Sequence, residues 1–183
     1  MSLPKITVVM NSFMEHPVYF RKAVHSYLQQ KGVDLELILS MVVGDENITR
    51  AAKLNVSKIV VNKRPGIYTQ LNNALKFVTG DWFAYASSND IADERKLADE
   101  YEMCVRHNKL VCYSSFHLCG PDMTPLKVRE APPYDYASHL EGNFINDCAL
   151  VHASLLKKYA PFDTGYNNKA YHDFWLRIFE GAR

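Results

Sequence analysis

Three short polar clusters hold most of the residues that could do chemistry: Asn11-Ser12-Phe13-Met14-Glu15, Gly44-Asp45-Glu46 and Ser87-Ser88-Asn89-Asp90. Each follows an apolar run with strand character, KITVVM, LELILSMVV and WFAYA respectively. In an open α/β sheet, loops at the carboxyl ends of strands share one edge and can line one crevice, where ligands bind. None of the three is a phosphate loop, because the chain has neither G-x-G-x-x-G nor G-x-x-x-x-G-K-[ST]. That counts against dinucleotide and P-loop chemistry. A fourth group, His172, Asp173 and Arg177, lies near the C-terminus. Asp173 is four residues before Arg177, so it is either a surface ion-pair partner on a helix or an acid turned toward a ligand. His172 is either a solvated histidine or a proton acceptor. Asp90, with Asp93 and Glu94 after it, could equally cap and charge the start of the next helix.

The elements that must position these groups are legible as alternating patterns. Lys5–Met10 reads as a buried strand, and Pro17–Gln30 as a helix whose Phe20, Val24, Tyr27 and Leu28 share one face. Leu35–Val43 is a second strand, residues 48–54 a short helix, and Lys58–Val61 a third strand. After Lys63-Arg64-Pro65-Gly66, the spacing of Ile67, Leu71, Ala74, Leu75 and Val78 predicts a helix, and Trp82–Ala86 is a fourth, uncharged strand. This alternation argues for a mostly parallel sheet covered by helices on both faces. Leu97, Tyr101, Cys104 and Val105 mark a further helix, Leu110–Leu118 a strand and Asn146–Val151 another. Helices at residues 153–159 and 169–180 close the chain. Residues 120–143, with four of the eight prolines, read as a long connection with no domain boundary. Tyr134, Tyr136 and His139 in it are placed to form a lid.

Composition excludes some classes. A chain of 183 residues suits one domain. A formal net charge of +1 gives no field to gather nucleic acid or anionic lipid, so no nucleic-acid partner is expected and membrane contact is at most peripheral. No apolar run approaches the roughly 20 residues of a spanning helix. The N-terminus lacks the layout of a signal peptide. Cys104, Cys112, Cys119 and Cys148 form no C-x-x-C pair, and they read as reduced thiols of a cytoplasmic protein.

Three segments together resemble family 2 glycosyltransferases of the GT-A fold. KITVVMNSF…RKAVHSYLQQ is similar to that family's opening, a strand, P-T-Y-N and a helix ending S-x-x-x-Q. PGIYTQLNNALKFVTGDWFAYASSND resembles its central G-I-Y-D-A-M-N…N-S-D-D segment, and FDTGYNNKAYHDFWLRIFEGA its closing segment. The resemblance covers about residues 5–181 in the family's order and names no substrate. It implies a single domain over 1–183, with a nucleotide-sugar half at 5–90 and an acceptor-side half at 91–183 whose end falls where family members often continue. It implies an inverting hexosyltransferase that moves a sugar from a nucleotide-sugar donor, UDP-linked, to a carbohydrate or lipid-linked acceptor in polysaccharide or glycan synthesis. A Mn²⁺ or Mg²⁺ ion would hold the donor diphosphate, and a carboxylate would take the acceptor's proton.

Carried over position by position, the resemblance puts Ser12, Phe13 and Glu15 by the base and ribose. It puts Gly66, Thr69 and Asn72 near the donor, with Arg64 either meeting diphosphate or forming a solvated turn. Asn89 and Asp90 match the metal-binding acids, with Ser88 beside them. The sequence departs from the pattern where Met41 and Val42 stand at two acids of the second strand, for which Asp45 substitutes if the loop is shifted. Ser87 and Asn89 stand where acids often do. Tyr171 falls at the position of the proton acceptor, so a one-turn shift would bring Asp173 or His172 there. These departures also fit a catalytically inactive nucleotide-sugar-binding domain.

Overall fold

The structure, a computed structural model, describes residues 2–181. The expected 1–183 domain span therefore includes Met1, Ala182 and Arg183, which lie outside the described residues. The first half alternates as the patterns require. It runs β1 Lys5–Asn11, α1 Pro17–Leu28, β2 Asp34–Val42, α2 Asn47–Ala51, β3 Lys58–Asn62, α3 Ile67–Leu75, β4 Trp82–Ser87 and α4 Lys96–His107. The second half is less regular. It contains β5 Val111–Cys112, β6 Phe116–Cys119, β7 Pro125–Arg129, α5 Tyr136–Glu141, β8 Leu150–His152 and α6 Ala153–Tyr159, then a 3-10 turn at Thr164–Lys169 and α7 Ala170–Glu180.

Six strands form one sheet in the order β3-β2-β1-β4-β8-β5. The first four are parallel, while β8 runs antiparallel to both neighbours. The sheet is buried on both faces because successive side chains point opposite ways. Val8, Met10, Leu37, Leu39, Met41, Trp82, Ala84 and Ala86 join Phe20, Val24 and Tyr27 of α1 and Leu97 and Cys104 of α4 in one core. Val9, Ile38, Phe83 and Tyr85 point the other way and meet Leu71 of α3 and Tyr171, Phe174, Trp175 and Ile178 of α7.

The structure differs from the sequence expectation in the second half. The single strand expected over 110–118 is two elements, β5 in the main sheet and β6 in a separate hairpin with β7. Tyr113-Ser114-Ser115 interrupts the run, and the hairpin that follows is exposed along its whole length. Its strands satisfy one another's backbone, but no layer covers their side chains. The proline-rich connection consequently holds β7 and α5. Among the described residues, no helix is long and apolar enough to cross a membrane.

Candidate functional site

A row of polar residues marks where the sheet's apolar interior ends. In the parallel register Asn11 lies opposite Ser40 on β2 and Ser87 on β4. Asn62 closes β3. These side chains tie the strand ends to α3. The Asn11 amide donates to Ile67 O at 2.7 Å, Ser40 Oγ to Gln70 O at 2.8 Å, and Asn62 Nδ2 to Met41 O at 2.8 Å. Buried Gln70 donates to Ser40 O at 3.1 Å and Ser12 O at 3.3 Å, and it accepts from Gly66 N at 3.2 Å. The sequence reading named Asn11 in its first polar cluster but missed Gln70, Ser40 and Asn62. Their shared signal is a polar residue where an apolar strand stops or on the inner face of a helix.

The first two clusters come together through Asp45. Its carboxylate accepts from Met14 N at 3.0 Å and from Asn47 N at 2.9 Å, and Ser12 Oγ stands 3.5 Å away. Met14 has a left-handed backbone with φ 53°, and Asn47 Nδ2 donates to Glu15 O at 2.8 Å. This locked turn leaves Phe13 exposed and Glu15 half-buried, with Ser12 buried beneath them. Met41 and Val42 lie in the core, 0% and 2% exposed. The acid at the end of β2 is therefore Asp45, three residues beyond Val42. Beyond β3, Lys63, Arg64 and Thr69 are exposed around Gly66, whose φ of 153° suits glycine at the start of α3.

The third cluster follows β4 at the same edge of the sheet. Ser88 is buried, and Ser87 Oγ donates to Asn89 Oδ1 at 2.7 Å. Asp90 reaches solvent, yet the protein around it, with the Glu15 carboxylate second, raises its pKa above the usual carboxylate value. Asp147, absent from the sequence reading, is raised in the same way, by desolvation first and by Asp90 second. No local pattern announces it.

Two further groups stand elsewhere. The Asn72 amide makes a reciprocal pair with Phe162, donating to its carbonyl at 2.8 Å and accepting from its N–H at 2.9 Å. Asp173 accepts from Arg177 Nε at 2.9 Å. Asn72, Phe162, Asp163, Tyr166, Asp173 and Arg177 border an open cleft of about 640 Å³ whose lining includes none of the three strand-end clusters. His172 Nε2 lies 2.6 Å from the His139 carbonyl. His139 is fully buried, and Tyr134 stacks on Phe179 at 3.9 Å, so the segment read as a lid is anchored on α7.

A divalent cation suits the Asn89–Asp90 pair in kind. Asp90 offers a carboxylate with no hydrogen bond or ion pair among the described residues, and Asn89 a neutral oxygen. Among the described residues no three His, Cys, Asp or Glu side chains gather as a metal cluster. The pair would offer a bound cation at most two hard oxygens, one of them already accepting from Ser87 Oγ, in a site type where Mg²⁺ takes one or two protein oxygens and substrate phosphates and water complete the rest.

The sheet order and the antiparallel β8, together with the solved structures it resembles, put the chain in the GT-A class of folds. No protein-family model matches the sequence, and no curated protein matches it. S. aureus TarS 1-349 in complex with UDP is similar at a TM-score of 0.73 and 15% identity, over 96% of this chain and 55% of that one. TarS 1-349 gives 0.66 and 18%, over 84% and 48%. The mannosyltransferase PcManGT from Pyrobaculum calidifontis, in complex with GDP-Man and Mn²⁺, gives 0.63 and 16%, over 89% and 48%. The chain spans about half the length of these proteins, and at such identities the likeness is one of fold.

Proposed function

We propose that this chain is a nucleotide-sugar-dependent glycosyltransferase domain that moves a sugar, with inversion, from a UDP-linked donor to a hydroxyl of a carbohydrate or lipid-linked acceptor in glycan synthesis. The observation that carries the reading is the row of polar loops at the carboxyl edge of a GT-A sheet, with the Asp90 carboxylate just beyond β4 unpaired among the described residues. In this reading Ser12, Phe13 and Glu15 flank the nucleoside, and Asp45 holds their turn. Arg64, Gly66 and Thr69 face the diphosphate across from Ser88, while Asn89 and Asp90 hold Mn²⁺ or Mg²⁺. The cation, when bound, neutralises charge on the leaving diphosphate. Asn72, His172 and Asp173 belong to the acceptor side. Support also comes from the neighbours, because TarS has been crystallised with UDP and UDP-GlcNAc and PcManGT with GDP-Man and Mn²⁺.

The test is calorimetric titration of UDP and of GDP, each with and without Mn²⁺. Mn²⁺-dependent binding of UDP over GDP, abolished by Asp90→Ala, is the expected result. No binding of either nucleotide refutes the donor site. A second reading, an inactive nucleotide-sugar-binding domain, is favoured by the burial of Met41, Val42 and Tyr171 at family acid positions. It predicts UDP binding with no product from any donor.

A further inference from the structure

Most carboxylates near the crevice are already committed. Asp45 holds two loop amides, Glu100 accepts from Lys96 at 2.7 Å and Ser114 at 2.8 Å, and Asp173 is paired with Arg177. Asp90 and Asp147 differ, since neither side chain makes a hydrogen bond or ion pair among the described residues. Both reach solvent. Both are therefore free to meet a ligand.

Asp147 stands just before the antiparallel strand β8, which runs beside β4. Leu150 of β8 lies opposite Ala84 of β4, and Val151 opposite Phe83. Asp147 lies three residues before that first pair, exposed in a turn in which Ala149 N donates to Asn146 O at 3.4 Å. The residues on either side of it are fastened. Asn146 Nδ2 donates to Ser114 O at 2.6 Å, and the Cys148 carbonyl accepts from Lys96 Nζ at 2.7 Å. A carboxylate between two fixed neighbours is pre-positioned, which is what a reacting group needs.

Its electrostatic neighbours locate it further. The Asp90 carboxylate acts on Asp147, and Asp147 acts on the Tyr68, Tyr85 and Tyr171 phenols. Those rings form a wall, with Tyr171 centred 5.5 Å from Tyr85 and 6.0 Å from Tyr68. Asp147 is thus within electrostatic reach of both the Asp90 loop and Tyr171 of α7. Asp173 is two residues beyond Tyr171, about 200° around the helix, on the flank of the Arg177 cleft.

Building on the transferase reading, we infer that Asp147 is the general base of the transfer centre. The acceptor's O–H bond breaks and its proton passes to the Asp147 carboxylate. The oxygen's electron pair forms the bond to the anomeric carbon. The bond from that carbon to the diphosphate oxygen breaks, and its pair leaves with the nucleoside diphosphate. Asp90 and Asp147 then have separate tasks, one on the donor's phosphates and one on the acceptor's hydroxyl.

The experiment measures UDP release from UDP-glucose and UDP-N-acetylglucosamine with Mn²⁺, water serving as acceptor, alongside calorimetric binding of UDP. Asp147→Asn is expected to slow release by about 10²–10⁴-fold, the usual worth of a positioned base, with UDP affinity unchanged within about threefold. Asp147→Glu is expected to recover part of the rate, and added formate to raise turnover of Asp147→Ala. Parent-like release by Asp147→Asn overturns the inference alone, as does a loss of rate confined to Asp173→Asn. A parallel loss of UDP affinity in Asp147→Asn also overturns it, by making Asp147 a binding or folding residue. A parent chain that binds UDP but releases none from either donor overturns the transferase reading and the base together.

Discussion

Replacing Asp45 by alanine tests whether the nucleotide side of the crevice is built on a turn that this carboxylate holds. Asp45 is 4% exposed and accepts two backbone N–H bonds, at 3.0 Å from Met14 and 2.9 Å from Asn47. The Ser12 hydroxyl, at 3.5 Å, adds little. Hydrogen bonds to a charged group contribute about 1.5–3 kcal/mol each, and an unsatisfied buried donor costs about 1–3 kcal/mol. The two amides are not equal. Met14 is exposed, so water can replace the lost acceptor, whereas Asn47 is 2% exposed and its N–H is left without a partner. The expected loss for Asp45→Ala is therefore about 2–4 kcal/mol rather than the full sum. Urea unfolding at neutral pH, with the slope unchanged, would read it directly. In a thermal scan a domain of this size should melt roughly 6–12 °C lower. Asp45→Asn keeps one acceptor oxygen and should lose about half as much. A loss below about 0.5 kcal/mol for the alanine variant, the range of a neutral surface substitution, would refute the reasoning and leave Asp45 free to act on a ligand.

Three other outcomes are expected. His139 is fully buried without a partner for either ring nitrogen among the described residues, and desolvation, with His172 second, lowers its pKa from 6.5 to about 4. The unfolded chain therefore binds this proton first as pH falls, and stability present above pH 6.5 is lost down to about pH 4, by roughly 3 kcal/mol in all. Equal pH dependence of unfolding for the parent and His139→Phe would contradict this. A Cβ at Gly80 would meet Thr7 N at 2.7 Å and Trp82 O at 2.8 Å, both backbone atoms; Gly80→Ala should cost about 1–3 kcal/mol, measured as a shift in urea midpoint. Lys96→Met strands buried Glu100, 3% exposed, and releases the Cys148 carbonyl. It should cost about 3–5 kcal/mol, and Lys96→Met with Glu100→Gln should recover part of that in a double-mutant cycle.

What the sequence determined by itself was the part encoded in neighbouring residues. KITVVM, LELILSMVV and WFAYA are long enough, and apolar on both alternate faces, to be strands covered on two sides, and they are β1, β2 and β4. The polar clusters after them had to fall at one edge once those strands ran parallel. The same reasoning weakened beyond α4, where strands are two to five residues long and pairing decides them: β5 is two residues held by β8, and β6 exists because β7 returns beside it. Tertiary structure also decided which acids are free. The Asp45 carboxylate is occupied by loop amides, Asp173 is turned to Arg177, and Asp147 stands exposed in the turn before β8 with no hydrogen bond or ion pair among the described residues. A carboxylate's availability depends on the donors and charges brought around it by non-local packing, and no spacing along the chain records that.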